Sequence, residues 1–310
     1  MKSILIFGVS GFIGGNFAEF FLRKGLRVTG LDVQSSEKTE SLLNSEKFAF
    51  IQGEWQNSVR ELVVSDYDTI LFLASPSTVS VVEDNPVDSF SSMCMDVIVL
   101  LEMLVVSNPT AKVIFPSSAA VYGEVNSINA NEDLPLLPVS LYGVFKKNVE
   151  DIARHYSRRY GLSITMIRFF SVYGPGLQKQ LFWDAIVKAK APSKEVRFSG
   201  SGQEVRDWIY ISDAIELTYL ILIKMFDNPS RFSIVNGGTG VATSVKTALD
   251  FLITNLISDK SAVFTGSHRQ DDPSSLVADI RLANSYGWSS EVSIEEGLGK
   301  YLNWYKDQNL

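Results

Sequence analysis

The chain has 310 residues, of which 45% are hydrophobic and 20% are charged. These values are typical of a globular protein with a substantial core and exclude a disordered chain. The formal net charge of −7 argues against a nucleic-acid partner, which needs a basic surface to displace counterions from phosphates. A small anionic ligand is still compatible, because a local pocket can be positive in an acidic protein.

The single cysteine, Cys94, excludes an intramolecular disulfide and favours a reducing, cytoplasmic compartment. With only two histidines besides, we expect no metal site. The apolar run from Ile4 to Phe7 is too short for a signal core, and no apolar stretch is expected to approach membrane-spanning length. The sequence therefore predicts a cytoplasmic protein with no membrane partner.

Short apolar runs alternate with helical stretches over the first half of the chain. The predicted strands cover 4–7, 27–33, 69–73, 112–115 and 163–169. The predicted helices cover 16–24, 87–106 and 139–160. This alternation predicts an α/β fold with a Rossmann-type, doubly wound parallel sheet, which binds ligands at the carboxyl ends of its strands. After about Tyr173, glycine-containing breaks shorten the elements, so we expect a smaller C-terminal substrate-binding lobe that covers the sheet domain.

Three glycines, Gly8, Gly11 and Gly14, lie between the first predicted strand and the first helix. Glycine there permits a tight turn and lets backbone N–H groups approach a pyrophosphate at the positive end of the helix dipole. Asp32 ends the second strand about 20 residues later, where a carboxylate accepts the adenosine ribose hydroxyls. Because that charge repels the 2′-phosphate of NADP, NAD is the predicted cofactor. The predicted cofactor site also contains Phe12, Ile13, Glu54 and Ala74.

Tyr142 and Lys146 are four residues apart in a helical stretch, so their side chains share one face. We expect the ammonium of Lys146 to lower the pKa of Tyr142 toward neutrality. Such a tyrosine can exchange a proton with a sugar hydroxyl while hydride moves to or from nicotinamide. Ser118 follows a predicted strand and can hydrogen-bond the same sugar oxygen. The spacing alone is common in solvated helices, and the glycine loop upstream gives the pair its significance.

Motifs along nearly the whole chain resemble those of extended short-chain dehydrogenase/reductases of the NAD-dependent epimerase/dehydratase group, in a pattern close to UDP-galactose 4-epimerases. These motifs are Gly8–Gly14, Phe115–Gly123, Tyr142–Lys146, Arg168–Pro175, Arg206–Tyr210 and Asp279. The resemblance implies that Ser118, Tyr142 and Lys146 are catalytic and that Lys146 also holds the nicotinamide ribose. The substrate contacts that it implies are Ser118, Ser171, Tyr173, Arg206 and Arg269, with the two arginines against the nucleotide phosphates.

Departures from the family pattern narrow the reaction. Ala119 and Ala120 stand where dehydratases of the family usually carry Asp-Glu, so dehydration has no evident acid/base pair. Ser171 and Met93 each stand where the family usually has an asparagine. A nucleotide-sugar 4-epimerase acting through a 4-keto intermediate is favoured, and a nucleotide-4-keto-sugar reductase or 4-dehydrogenase is the alternative. The intact catalytic set disfavours a third hypothesis, a non-catalytic nucleotide-binding scaffold.

The loss of regularity after about Tyr173 predicts a division of the chain, and the resemblance implies an assembly. The predicted NAD-binding Rossmann domain covers 1–172, with 205–235 returning to it, and the predicted nucleotide-sugar-binding lobe covers 173–310. Members of the family commonly pair through two helices per subunit. A homodimer formed by the helices at 87–106 and 139–160 is therefore expected.

Overall fold

The computed structural model describes residues 1–54, 64–125, 129–227, 231–266 and 273–308, and the chain folds into two compact units. The first unit comprises Met1–Val121, Ser140–Arg168 and Leu217–Val235. The second unit comprises Tyr122–Val139, Phe169–Glu216 and Asn236–Leu310. The chain therefore passes between the two units more often than in the predicted division, which places one boundary at residue 172 and one return over 205–235.

Regular elements of the described residues are numbered along the chain. The strands are β1 (Ser3–Phe7), β2 (Arg27–Asp32), β3 (Phe48–Gln52), β4 (Thr69–Phe72), β5 (Lys112–Ser118), β6 (Ser163–Phe169), β7 (Ser171–Tyr173), β8 (Glu195–Phe198), β9 (Val205–Arg206), β10 (Trp208–Tyr210), β11 (Phe232–Gly237), β12 (Thr243–Ser244), β13 (Ser261–Phe264) and β14 (Ser275–Leu276). The helices are α1 (Phe12–Arg23), α2 (Glu37–Leu42), α3 (Val79–Asp84), α4 (Pro86–Phe90), α5 (Asp96–Ser107), α6 (Leu141–Tyr160), α7 (Gln180–Ala189), α8 (Ile211–Asp227), α9 (Val245–Leu256), α10 (Arg281–Ser285) and α11 (Ile294–Asp307). A π-helical turn over Ser91–Met95 joins α4 to α5.

A seven-stranded sheet in the order β11-β6-β5-β4-β1-β2-β3 organises the first unit. The pairs β1–β2, β2–β3, β1–β4 and β4–β5 are parallel. All five residues of β1 are buried, as expected for a central strand of a parallel sheet. The strand order reverses between β1 and β4, and open α/β sheets bind ligands at the carboxyl ends of strands at such a point. The predicted Rossmann-type, doubly wound fold is confirmed.

The helical run from α4 through α5 packs one face into the core of the first unit. Its buried apolar residues there are Met93, Cys94, Val97, Leu100, Leu101 and Leu104. The run spans the 22 residues Pro86–Ser107, and its most apolar 18-residue stretch has a mean hydropathy of 1.9 and is 44% buried. By length and composition alone it is able to cross a membrane, so the prediction that no apolar stretch approaches that length is wrong. Its serines make the run look less apolar in the sequence than it is. In the structure, however, Ser92 donates its hydroxyl group to the carbonyl oxygen of Asp88 within the helix.

Smaller sheets build the second unit: β7 pairs with β10, β9 lies between β12 and β14, and β8 pairs with β13. The buried carboxylate of Asp207, between β9 and β10, connects several of these pieces. It accepts hydrogen bonds from the backbone N–H and the hydroxyl group of Thr239, both at 2.7 Å, from Gly240 N at 2.9 Å and from Ala278 N at 3.1 Å. Asp207 therefore holds the strand that carries Arg206 against two loops of the same unit.

Candidate active site

The glycine-rich loop follows β1 and turns sharply into α1. Gly8 has a φ of +81°, in the left-handed region that favours glycine, and a Cβ atom there would lie 2.8 Å from the backbone nitrogen of Ala74. A Cβ atom on Gly14 would lie 2.2 Å from the carbonyl oxygen of Gly8. Both positions therefore require glycine because strand, turn and helix are packed so closely.

Gly11 is different, because the loop itself does not require glycine there. It is exposed, its φ is an ordinary −71°, and a Cβ atom would meet only the carbonyl oxygen of Gly8, at 3.3 Å. Gly11 precedes α1, whose first turn has neither an acidic residue nor a side-chain cap. The N–H groups of that turn therefore face an anion-binding position that the helix dipole favours. A missing side chain at Gly11 suits the close approach of a pyrophosphate, so this loop fits NAD.

Asp32 ends β2 with its carboxylate held by two backbone N–H groups, from Ser10 at 2.9 Å and from Val33 at 2.8 Å. A charge in this position repels the 2′-phosphate of NADP and so favours NAD. The other predicted cofactor residues lie at the carboxyl ends of β1, β3 and β4; they are Gly8, Gly11, Phe12, Ile13, Gly14, Glu54 and Ala74. The structure thus brings the loop, the acidic residue and their neighbours to one edge of the sheet.

Ser118, Tyr142 and Lys146 come together in the first unit. Ser140 caps α6 by accepting a hydrogen bond from Gly143 N at 3.2 Å, so Tyr142 and Lys146 lie in the first two turns of that helix. Ser118 ends β5, and its hydroxyl group lies close enough to that of Tyr142 to lower the pKa of the phenol. Lys146 Nζ lies 5.7 Å from the centre of the Tyr142 ring. The three predicted catalytic side chains are therefore neighbours.

Burial dominates the acid–base properties of these side chains. Burial raises the pKa of Tyr142 to about 12, and the hydrogen bond with Ser118 offsets only part of that rise. Burial lowers the pKa of Lys146 to about 8, against the opposing electrostatic influence of Cys94 and Glu150. The expectation that the ammonium of Lys146 lowers the pKa of Tyr142 toward neutrality is therefore wrong, because the desolvation of the phenolate outweighs its stabilising contacts.

A buried ion pair connects the elements that carry the predicted catalytic side chains. Arg168 on β6 donates two hydrogen bonds to Glu150 on α6, at 2.9 Å to Oε1 and 2.7 Å to Oε2. Ser117 donates a hydrogen bond of 2.6 Å to the same carboxylate. Ser117 directly precedes Ser118, and Glu150 lies one helical turn beyond Lys146. The network therefore ties β5, α6 and β6 together beside the catalytic set.

Sequence reasoning missed several residues that contact this set or support it. They are Ser75, Ser117, Glu150 and Arg168. Ser75 and Ser117 each lie next to a predicted site residue, and Glu150 lies one helical turn beyond Lys146. Arg168 belongs to one of the motifs. These positions were the available signal in the sequence. Proximity along the chain does not say which hydroxyl or carboxylate group turns toward the site, so only the structure identifies them.

Ser171 and Arg206 are half-buried residues of the second unit. Ser171 begins β7, and its backbone N–H donates to the carbonyl oxygen of Asp207 at 2.9 Å. Arg206 lies in the middle strand of the three-stranded sheet, where Nη1 donates to the carbonyl oxygen of Val205 at 2.8 Å. Their contacts with sugar and phosphate stay predictions. Arg269, the other predicted phosphate contact, lies outside the described residues.

Tyr173 lies in the core of the second unit. Its ring packs against Phe182 and Tyr210. Its hydroxyl group lies 3.5 Å and 3.4 Å from the carbonyl oxygens of Ser293 and Ile294, near the start of α11. These contacts are those of a packing residue and add no support for the predicted contact with the sugar.

A model of the NAD-dependent epimerase/dehydratase family matches residues 4–236. The chain belongs to this family. The match covers the glycine loop, the Ser118, Tyr142 and Lys146 set and Arg206. The resemblance drawn from the motifs is therefore confirmed, and with it a NAD-dependent enzyme of the short-chain dehydrogenase/reductase type.

Relatives resemble the chain over its whole length. The UDP-glucuronate 4-epimerase of Thermodesulfobacterium geofontis is 29% identical and aligns over 99% of this chain and 97% of its own. The crystal structure of UDP-glucuronic acid 4-epimerase from Bacillus cereus, in complex with UDP-glucuronic acid and NAD, is 26% identical, with a TM-score of 0.88 over 99% of this chain and 100% of its own. The structure of UDP-glucose 4-epimerase from Thermotoga maritima with UDP-glucose is 25% identical, with a TM-score of 0.86 over 100% of both chains.

Proposed function

We propose that the chain is a NAD-dependent 4-epimerase of a nucleotide-linked sugar. The observation that carries this proposal is the assembly of Ser118, Tyr142 and Lys146 in the same unit as a glycine loop that fits a pyrophosphate. The relatives support the proposal, because their names describe 4-epimerases of UDP-sugars. The same names support UDP as the nucleotide.

The residues divide the work of binding and proton transfer. The N–H groups at Gly11 and the start of α1 hold the pyrophosphate, Asp32 accepts the adenosine ribose hydroxyls, and Lys146 donates to the nicotinamide ribose. When bound, NAD supplies a hydride acceptor and a positive charge that favours the phenolate of its neighbour. Tyr142 removes the proton from the sugar 4-hydroxyl group and later returns it, while Ser118 hydrogen-bonds the same oxygen.

A panel of nucleotide sugars tests the proposal. The purified protein is incubated with UDP-, GDP-, CDP- and dTDP-sugars and their 4-keto forms, and products are followed by NMR and mass spectrometry. We expect either C4 epimer of a UDP-sugar to give the same mixture of two epimers without net consumption of NAD or NADH. Turnover that requires stoichiometric cofactor would instead identify a 4-keto-sugar reductase or a 4-dehydrogenase. The absence of any turnover would contradict the proposal.

The outer face of the helical run 86–107 supports a homodimer. Met95, Val99 and Val106 are exposed, and their spacing places them on one side of the helix. Helix α6 lies beside it, since Tyr156 on α6 donates a hydrogen bond to Glu102 on α5. Such an exposed apolar stripe is typical of an interface, and we place the dimer in the cytoplasm because Cys94 is a free, buried thiol.

Light scattering tests this assembly. We expect a molar mass of twice the 34.4 kDa of one chain. Replacing Val106 with Glu adds a charge at the C-terminal end of the stripe, on its most exposed residue, and is expected to give monomers, because burying an unpaired charge is costly. The control is Val187→Glu, an exposed valine of the second unit whose replacement leaves the dimer intact. A wild-type mass of one chain would refute the homodimer.

A further inference from the structure

A serine that the assigned catalytic set does not include lies at the amine of Lys146. Ser75 follows the carboxyl end of β4, and its Oγ atom lies 3.4 Å from Lys146 Nζ. The amine also donates a hydrogen bond of 3.0 Å to the carbonyl oxygen of Pro116. A lysine ammonium has three N–H groups. Two of them directed at Ser75 and Pro116 leave the third in a defined direction, which suits a single further acceptor such as a ribose hydroxyl.

The remaining walls around this amine are apolar. A cavity of about 10 Å³ adjoins Ser75 and Lys146, and its other lining residues are Phe72, Met93, Val97, Phe115, Pro116 and Val149. Met93 is only 2% exposed and lies in the π-helical turn between α4 and α5. Turns of this kind often occur at functional sites, since the extra residue redirects side chains. Here the turn places Met93 in the lining of the cavity that Lys146 also lines, and a thioether offers an ammonium no strong acceptor.

Titratable groups near the amine do not replace the contact with Ser75. Cys94 comes from the same π-helical turn, and burial raises its pKa to about 11, so its thiol is neutral at ordinary pH. Glu150 and Tyr142 flank Lys146 on α6, but Glu150 accepts its hydrogen bonds from Arg168 and Ser117. Within the described residues, Ser75 thus provides the hydroxyl group that faces the amine.

We propose that Ser75 is a positioning residue for Lys146. The hydroxyl oxygen of Ser75 stabilises the ammonium form of Lys146 and sets the direction of the N–H groups of that amine. Because the neighbouring wall formed by Met93 is apolar, it offers the ammonium no acceptor in place of Ser75. This proposal rests on the proposed function, which gives Lys146 its catalytic role. The contact itself can be measured without any turnover.

The first test is the titration of Lys146 by NMR in protein with ¹³C-labelled lysine, with the resonance assigned by Lys146→Arg. We compare Ser75→Ala, Ser75→Thr, which keeps a hydroxyl group, and the control Ser92→Ala, which removes a hydroxyl group from the same π-helical turn. Ser75→Ala is expected to lower the pKa of Lys146 below its value of about 8, because the charged form loses an acceptor. Ser75→Thr and Ser92→Ala are expected to leave it unchanged. An unchanged pKa in Ser75→Ala would overturn the proposal.

The second test is turnover against pH. Loss of a hydrogen bond to a charged group is expected to lower kcat of Ser75→Ala about tenfold, with little change in the KM for the nucleotide sugar. Since the ammonium form is the active one, the loss of activity with rising pH is expected to begin at lower pH than in the wild type. Ser75→Thr is expected to restore both properties.

The two tests separate this proposal from the proposed function. An inactive wild type in which Ser75→Ala still shifts the titration would refute the epimerase and leave the role of Ser75 standing. An active wild type with a Ser75→Ala variant that titrates and turns over like it would refute the role of Ser75 alone.

Discussion

Replacing Tyr142 with Phe is expected to lower kcat by roughly two to four orders of magnitude. The change removes one hydroxyl group and with it the proton carrier between the sugar oxygen and the protein. NAD binding is expected to survive, because the glycine loop, Asp32 and Lys146 keep their positions. Turnover is measured by NMR of the two epimers, and NAD affinity by calorimetric titration.

Tyr156→Phe is the matched control for this change. Tyr156 lies on the same helix, but its hydroxyl group donates to Glu102 on α5 and not to the catalytic set. Its loss is expected to leave kcat close to that of the wild type. Equal losses in both variants would show that a tyrosine hydroxyl on α6 matters for the helix and not for proton transfer. Full activity of Tyr142→Phe would remove Tyr142 from the mechanism.

The high pKa of Tyr142 is consistent with this role. At a pKa of about 12, the phenol holds its proton at neutral pH, so the protein alone does not supply a ready base. A base of this kind acts when a positive charge is bound nearby, since a neighbouring cation favours the phenolate. In the proposed mechanism, Tyr142 would therefore take the proton from the sugar hydroxyl group only once the cofactor is bound beside it.

The sequence predicted the parts of the fold that depend on local pattern. The strand at 163–169 has the predicted bounds, and all seven of its residues are buried, including the polar ones. Helix α1 instead begins at Phe12, four residues before the predicted start. Gly14 was counted with the loop but lies in the helix, where its missing side chain lets α1 pack closely on the turn after β1. Propensity alone would not place a glycine there.

What the sequence did not predict depends on contacts between distant residues. Ser75 and Lys146 are 71 positions apart, and Tyr122 and Asn236 are 114 apart, yet each pair is hydrogen-bonded. The pKa of Tyr142 is likewise set by burial, which no spacing reveals. The three side chains that the family motifs indicate as catalytic lie together in the structure, but their electrostatic surroundings come from the packed protein.

The second large effect is expected for the buried ion pair. Arg168→Leu leaves the carboxylate of Glu150 buried at 1% exposure without its cation, and we expect it to lower the free energy of unfolding by about 3–5 kcal/mol. The loss is measured by urea denaturation followed by circular dichroism. The exposed pair of Arg197 with Glu195 is the control, and Arg197→Leu is expected to cost less than about 1 kcal/mol.

The double variant Glu150→Leu with Arg168→Leu separates charge from packing. Because an uncompensated buried charge is the main cost of the single change, removing both charges is expected to be milder than the sum of the single variants. The double variant also leaves Ser117 without its acceptor, so the strand that carries Ser118 loses its hydrogen bond to α6. A recovery of stability without a recovery of kcat would therefore show that the pair is kept for the geometry of the catalytic set. Additive losses would mean that the two side chains stabilise the fold independently.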